Sequence, residues 1–300
     1  MTLWIPITLA AAFFQTLRFM LQRQLSLGSL SATGATLARF LYSAPLVAVL
    51  ITVYMTATAQ AWPDFGGALF GYGAMGGLAQ ILATVATVRL FQARNFAVGI
   101  TFKKTEVMQA VLVGWVLLGD SVSGLGLLAI GLGLVGVVLL SVPSDARGFR
   151  WRDMANPSAG LGLVAGLLFA VSGVCYRGAS LSLGMEDPLA RAGVTLAVVT
   201  AMQTVAMLIW LRLRDPGQVS AVWRARRVAV WVGLMSMAGS FCWFTAFTLQ
   251  NAAYVNAVGQ VELILSALAS VLVFREAVSG REWIGIAVLL ASILLLIAVI

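Results

Sequence analysis

The sequence contains no histidine, and only two lysines and two cysteines occur among its 300 residues. Without histidine it lacks the commonest metal ligand and the commonest general base. The phosphate-binding pattern G-x-x-x-x-G-K-[ST] is also missing. Cys175 and Cys242 lie far apart, without the C-x-x-C spacing of a redox or metal motif, and are expected to be inert. We therefore expect no enzyme, no cofactor, no metal and no direct coupling to ATP.

Charge is equally scarce, because 10% of the residues are charged and 61% are hydrophobic. Soluble domains are about a quarter charged and about 45–50% apolar, so the composition indicates an integral membrane protein. The net charge of +8 is then expected on loops that face lipid headgroups, not at a nucleic-acid interface. The opening "MTLWIPITLA" has no basic n-region and no A-x-A cleavage site, and we interpret it as a retained first span, not as a signal peptide.

Hydropathy between the polar breaks predicts ten membrane spans. They lie near 3–24, 34–56, 65–89, 96–118, 124–142, 158–181, 189–211, 228–249, 252–274 and 282–300. The longest polar breaks are 143–158 and 212–227, and the first of them falls almost at the midpoint of the chain.

The two halves of the chain repeat each other at an offset of 156 residues. Polar residues match as well as apolar ones: Asn95 with Asn251, Glu106 with Glu262, Asp120 with Glu276, and "VSG" at 122–124 with 278–280. We predict two repeats, 1–142 and 158–300, joined by a connecting loop at 143–157. Five spans per repeat put the second copy into the membrane from the opposite side. The expected fold is therefore an all-α membrane protein of two inverted five-helix repeats, an architecture typical of secondary transporters with a midplane site.

The stretch "FKKTEVMQA" at 102–110 puts both lysines of the protein into the fourth predicted span. A charge at the centre of a span costs about 2.5–3.5 kcal/mol on an insertion scale, so this helix must be shielded by neighbouring helices or water. On a continuous helix, Lys103 and Glu106 are spaced i, i+3 and are expected to pair. With Asn95 and Gln109 they form one polar stripe, and Asn251, Glu262 and Ser266 form the matching stripe on the ninth span.

Two interpretations of this charged stretch stay open. In the functional one, the stripes line a cavity, Lys103 or Lys104 attracts a substrate carboxylate or phosphate, and the glutamates fix helices or carry protons. In the structural one, the glutamates accept hydrogen bonds from helix ends or pair with Arg39 and Arg191. The lysines have no counterpart in the second half, where Gly259 and Gln260 stand, and this asymmetry favours a substrate role for them.

Other polar and aromatic side chains are further candidates for substrate contact. The complete candidate set is Gln80, Thr84, Lys103, Lys104, Glu106, Trp243, Tyr254, Gln260 and Glu262. The segment "SFCWFTAF" at 240–247, together with Tyr176 and Tyr254, offers an aromatic wall for a planar substrate. Arg18 and Arg23 are expected to extend towards the membrane interface. The glycine-rich segment 124–136 predicts tight helix packing.

The pattern resembles the drug/metabolite transporter superfamily, specifically its ten-span EamA-type members. An acidic residue follows each glutamate at fourteen positions, within "GDSVSG" and "REAVSG", and Arg39 and Arg191 occupy the second helix of each half. The sequence departs from the family at Val107 and Leu263, where members often have proline. The overall look is closest to bacterial amino-acid exporters of the YddG type.

The resemblance implies a monomeric, multi-pass exporter of the bacterial inner membrane, whose substrate is a small metabolite such as an amino acid, including aromatic ones. It further implies a central cavity and alternating access by rocking of the third and fourth spans against the eighth and ninth. Sugar-phosphate or nucleotide-type exchange and multidrug export are the alternatives within the superfamily. A membrane enzyme or a channel are the alternatives from other classes.

The orientation in the membrane stays open. Nearly all loop arginines fall in the odd-numbered loops, which by the positive-inside rule predicts cytoplasmic odd loops and extracytoplasmic termini. The resemblance implies the reverse, with cytoplasmic termini.

Overall fold

The structure, a computed structural model, describes residues 3–28, 30–92, 102–141, 157–265 and 280–299. Within these ranges the regular secondary structure is entirely helical, with eleven helices and short helical segments at 102–103 and 261–265. The eleven helices are α1 Trp4–Leu27, α2 Ala32–Ala57, α3 Gly67–Gln92, α4 Glu106–Leu118, α5 Gly124–Ser141, α6 Pro157–Leu181, α7 Pro188–Arg214, α8 Pro216–Arg224, α9 Arg226–Leu249, α10 Ala252–Gly259 and α11 Gly280–Val299.

Local sequence signals set several helix ends. Ser31 caps α2 because its hydroxyl accepts a hydrogen bond from the N–H of Gly34. Asp187 caps α7 in the same way through the N–H of Leu189, and Pro188 occupies the first helical turn, where its missing N–H is no loss. Gly119 ends α4 with a positive φ of 68°, a conformation that glycine adopts without strain.

Six of the helices are long and apolar enough to cross a membrane. They are α1, α2, α3, α6, α7 and α9. Shorter apolar helices cover Glu106–Leu118, Gly124–Leu140, Ala252–Leu265 and Trp283–Val299, inside the four other predicted spans. The protein is therefore an all-α membrane protein. The count of ten spans stays a prediction, since the spans at 96–118 and 252–274 extend into residues outside the described ranges.

The polar break at 212–227 contains a helix that hydropathy did not reveal. Helix α8 begins with Pro216 and buries Ala221 and Val222 against the bundle, so that only part of its surface is apolar. The side chain of Gln218 accepts a hydrogen bond from the N–H of Ser31 at 2.9 Å, which ties α8 to the start of α2.

The main helix contacts join the first half of the chain to the second. Helix α1 packs on α9, α3 on α6, α2 on α7, α4 on α10 and α5 on α11. The α5 and α11 contact confirms the tight packing predicted for 124–136, because a Cβ at Gly136 would lie 2.8 Å from the backbone nitrogen of Leu289. The largest buried side chains at the centre, Tyr176 and Phe244, stack at 4.2 Å between ring centroids. The core therefore lies between the two halves.

Candidate functional site

The helix that carries the lysines is broken at the lysines. Residues 102–103 are helical, Lys104 and Thr105 form a turn, and α4 begins only at Glu106. The N–H of Thr105 donates to the carbonyl of Phe102 at 3.2 Å, three residues back instead of four. The polar stripe was predicted on a continuous helix, and that prediction of continuity is wrong. Lys103 and Glu106 nevertheless lie close together.

The second half breaks at the matching position. Helix α10 ends at Gly259, Gln260 forms a turn, and helix resumes over 261–265. Gln260 corresponds to Lys104 at the repeat offset of 156 residues. Both breaks form without the proline that is missing at Val107 and Leu263. A broken helix is tolerated inside a membrane protein where it is buried in protein or lines a cavity.

Helix α6 supports the first break through a glycine. A Cβ at Gly166 would lie 2.6 Å from the carbonyl oxygen of Lys103 and 3.3 Å from the backbone nitrogen of Glu106. Only glycine lets α6 approach the exposed backbone of the turn this closely. On the same side, the hydroxyl of Thr105 donates to the carbonyl of Phe102 at 2.7 Å, which satisfies part of the interrupted backbone.

The two lysines pair with two different glutamates. The Nζ of Lys103 lies 3.8 Å from Oε2 of Glu106, which confirms the expected i, i+3 pair. Lys104 pairs instead with Glu262 of the second half. Oε2 of Glu262 also accepts a hydrogen bond from Nε2 of Gln15 in α1 at 2.6 Å. The structural alternative offered Arg39 and Arg191 as partners of the glutamates, whereas the ion pairs found here are with lysines.

Aromatic rings shield the first lysine. The Nζ of Lys103 lies 4.7 Å from the ring centroid of Phe169 and 5.4 Å from that of Phe19. The side chain is 3% exposed, so these rings replace part of its lost hydration through cation–π contact.

A cavity of about 50 Å³ lies beside the first break, between helices of both halves. It is lined by Gln15, Arg39, Gln80, Lys103, Glu106, Phe169, Ser172, Gly173, Tyr176, Ser240, Trp243, Phe244, Phe247 and Asn256. Four of the predicted site residues are among them: Gln80, Lys103, Glu106 and Trp243. We call this space the central cavity. Ligand pockets usually measure roughly 300–1,000 Å³, so the central cavity is several times smaller than a typical ligand pocket.

One wall of the central cavity is aromatic. Trp243 and Phe247 stack at 5.6 Å between ring centroids, next to the stacked pair of Tyr176 and Phe244. Nε1 of Trp243 is buried and has no hydrogen-bond partner among the described residues. The sequence predicted an aromatic wall from "SFCWFTAF", Tyr176 and Tyr254. Tyr254 is not among the residues that line the central cavity.

A hydrogen-bonded network fixes the wall and the neighbouring glutamine. Nε2 of Gln203 in α7 contacts the carbonyl of Gly77 at 3.0 Å, Oε1 of Gln80 at 3.0 Å and the hydroxyl of Tyr176 at 3.2 Å. The hydroxyl of Tyr176 in turn donates to the carbonyl of Gly76 at 3.0 Å. Gln80 and Tyr176 are thus held in place before any ligand binds.

The other predicted site residues lie elsewhere. Lys104 and Gln260 line a smaller, mainly apolar cavity of about 10 Å³ between α4, α5, α10 and α11. Thr84 accepts a hydrogen bond from Arg39. The hydroxyl of Tyr254 accepts one from the N–H of Ser123 at 3.1 Å, so that this side chain anchors the start of α5. Asn95, Ser266 and Glu276 lie outside the described residues.

Two arginines differ from expectation. Arg18 is 2% exposed, with its Nη2 3.4 Å from Oε1 of Gln15 and its guanidinium 4.2 Å from the ring centroid of Phe19. It is therefore buried in the bundle, and the expectation that it extends to the interface is wrong. Arg39 lines the central cavity, although hydropathy and the repeat suggested it only as a partner for a glutamate.

Two polar clusters join helices at the end of the bundle where α6 ends and α7 begins. Nε of Arg177 donates to Oδ2 of Asp120 at 3.1 Å, and Nη1 donates to the carbonyl of Phe247 at 2.9 Å. Nearby, Asp187 accepts from the hydroxyl of Tyr54 at 2.7 Å and from Nε2 of Gln60 at 2.8 Å. Burial opposes ionisation of Asp187, but these hydrogen bonds outweigh it and lower its pKa.

Comparison with known proteins gives a family match and a fold match. Residues 157–298, slightly less than half of the chain, match the EamA-like transporter family. The chain is also similar to a solved crystal structure of a protein, with a TM-score of 0.65 and 17% sequence identity. This match covers 97% of this chain and 99% of the other. No curated protein sequence matches the chain. The second half thus carries an EamA-like domain, which supports the drug/metabolite transporter superfamily, and the fold recurs in a solved structure.

Proposed function

We propose that the protein is a secondary transporter of the drug/metabolite transporter superfamily that exports small metabolites, with amino acids as the main substrate class. The observation that carries the proposal is the central cavity. It lies beside a broken helix, holds buried charges and is lined by helices of both halves. In secondary transporters, discontinuous helices form the substrate site between the two repeats.

Inverted repeats and alternating access form part of the proposal. The matching breaks at Lys104 and Gln260 support an equivalence of the two halves. The contact pattern supports it too. Helices α1 and α6 are the first helices of the two halves, and α3 and α9 are the third long ones. The contact of α1 with α9 therefore corresponds to the contact of α6 with α3. Rocking of one set of helices against the other would open the central cavity to one side of the membrane at a time.

The lining of the central cavity favours a zwitterion with an apolar side chain. The cations Arg39 and Lys103 make the lining attractive to the carboxylate of an amino acid, and Glu106 offers a negative charge to its amino group. The aromatic wall around Trp243 offers a surface for the side chain of the amino acid, and the N–H of Trp243, which has no partner among the described residues, is a further donor. A substrate of this kind fits an exporter of the YddG type, located as a monomer in the bacterial inner membrane.

Exchange of sugar phosphates is the second candidate. The observation that favours it is the number of buried cations: Arg39 and Lys103 line the central cavity, Arg18 contacts the lining residue Gln15, and Lys104 directly follows Lys103 in the chain. Basic side chains attract phosphates as they attract carboxylates. The two candidates differ in whether an aromatic side chain or a phosphate determines the affinity.

Counterflow in proteoliposomes tests the proposal. Purified protein is reconstituted with an internal unlabelled compound, and uptake of the labelled form is measured for amino acids, sugar phosphates and lipophilic cations. We expect saturable counterflow of amino acids, with aromatic ones among the best. Lys103→Ala is expected to reduce it more than Arg212→Gln, an exposed control that also removes one positive charge. Unitary currents would indicate a channel, and chemical change of a compound would indicate an enzyme.

A further inference from the structure

We propose that Arg39, and not either lysine, binds the carboxylate of the transported substrate in the central cavity. This inference deepens the proposed function and rests on it. It starts from the partners of the buried charges, which differ between the lysines and the arginine.

Both lysines already have a carboxylate partner. Lys103 contacts Glu106, and Lys104 contacts Glu262. A substrate carboxylate that binds either lysine must therefore compete with a glutamate that belongs to the protein.

Arg39 has no such competitor among the described residues. Its three hydrogen-bond partners are hydroxyl groups: Nε donates to Ser236 at 3.0 Å, Nη1 to Thr84 at 3.1 Å, and Nη2 to Ser240 at 3.3 Å. Hydroxyl groups accept the hydrogen bonds of the guanidinium N–H groups, but they carry no charge that could neutralise the guanidinium. The guanidinium is thus held in a fixed orientation without a carboxylate partner in the described part of the chain.

The surroundings of Arg39 increase this charge imbalance. The described residues that line the central cavity include two cations, Arg39 and Lys103, and one carboxylate, Glu106, and the buried Arg18 contacts the lining residue Gln15. A buried charge without a counterion is costly, and the cost falls when an anionic ligand binds. The part of the central cavity next to Arg39 therefore favours an anionic ligand.

The position of Arg39 also suits transport. Its side chain extends from α2 to Thr84 on α3 and to Ser236 and Ser240 on α9, the third long helix of each half. A carboxylate that takes over Nη1 and Nη2 would replace contacts to Thr84 and Ser240. Binding would thereby loosen the contacts that Arg39 makes with α3 and α9. The planar guanidinium binds a carboxylate through two parallel hydrogen bonds, which a lysine cannot provide.

The test compares a substrate with an analogue that lacks the carboxylate. Counterflow of labelled phenylalanine is competed with unlabelled phenylalanine, with phenylalanine amide and with glucose 6-phosphate, in the wild type and in Arg39→Gln, Arg39→Lys, Lys103→Gln and Arg212→Gln. In the wild type and in Arg212→Gln, phenylalanine should compete at least about tenfold better than its amide, since the neutral amide forms neither an ion pair nor two parallel hydrogen bonds with a guanidinium.

Arg39→Gln should abolish this preference, whereas Lys103→Gln should lower the rate and keep the preference. Arg39→Lys keeps the charge but loses the paired hydrogen bonds, so it should weaken the preference about tenfold, and it serves if Arg39→Gln does not fold. A preference that keeps its wild-type size in Arg39→Gln or Arg39→Lys, or that is lost in Lys103→Gln alone, overturns the assignment. A wild type that carries only glucose 6-phosphate overturns the substrate class, and one that carries none of the compounds overturns the proposed function.

Discussion

Lys104 and Glu262 form a buried ion pair that joins the broken helix of the first half to the broken helix of the second. The two side chains are 3% and 10% exposed. Glu262 also accepts a hydrogen bond from Gln15, so that α1 meets the same contact. The only two lysines of the chain therefore have separate roles, since Lys103 lines the central cavity and Lys104 links the halves.

This ion pair predicts strongly non-additive mutants. Lys104→Met removes the lysine partner of the buried Glu262, and Glu262→Gln removes the carboxylate partner of the buried Lys104, so each should lower the free energy of unfolding by about 3–5 kcal/mol. The double variant should lose much less than the sum of the two. Thermal and denaturant unfolding in detergent micelles, arranged as a double-mutant cycle, measures the difference, and additive losses would contradict the pairing.

The close approach of α6 to the first helix break predicts a large effect of one added methyl group. Gly166→Ala places a Cβ 2.6 Å from the carbonyl of Lys103 and should lower the free energy of unfolding by about 1–3 kcal/mol. Gly160→Ala in the same helix is the matched control, because a Cβ there meets no atom within 4 Å. Unfolding of both variants in micelles tests this, and equal stability would show that α6 does not support the turn.

The contact of Arg177 with Asp120 joins α6 to the residues that follow α4, and Asp120→Asn should weaken this connection. Both side chains are 17% exposed, so Asp120→Asn should cost only about 1 kcal/mol. Hydrogen exchange should nevertheless speed up at the N–H of Asp120, which donates to the carbonyl of Gly114 at the end of α4. Glu186→Gln, an exposed carboxylate near the same end, is the control. Unchanged exchange at this N–H in Asp120→Asn would show that the contact with Arg177 does not stabilise the end of α4.

Asp187 predicts acid-dependent stability. Its pKa is lower in the folded protein than in the unfolded chain, whose value is near 3.9. Its contribution is therefore fully present above about pH 4 and is lost as the pH falls through the folded pKa. The stability difference between the wild type and Asp187→Asn should shrink on acidification below pH 4. Unfolding curves between pH 2 and pH 6 test this, and a difference that does not change with pH would refute it.

Periodicity and hydropathy predicted most of the helices because a membrane requires long apolar segments whose backbone hydrogen bonds close internally. Helix α8 was missed for the opposite reason: it lies in a polar break and buries only a narrow apolar face through residues such as Val222. The breaks at Lys104 and Gln260 were missed because nothing local demands them. No proline is present there, and the turn at Lys104 depends on a glycine from a helix distant in sequence.

The candidate site was predicted in part. Gln80, Lys103, Glu106 and Trp243 line the central cavity, as a polar or aromatic residue in a membrane span often does. Arg39 was considered only as a partner for a glutamate, and its contacts to three hydroxyls come from residues 45 to 201 positions away. Such contacts depend on how helices pack, and no local pattern encodes them.

The sequence by itself determined that this is an all-α membrane protein and that its halves share a pattern of charged residues, because composition and repetition follow directly from the chain. Only the tertiary structure decided which charge meets which. A lysine can reach any carboxylate within a few ångströms, and the packing of α1, α4, α6 and α10 selected Glu106 for Lys103 and Glu262 for Lys104. The same packing left Arg39 among hydroxyls, with its charge facing the central cavity.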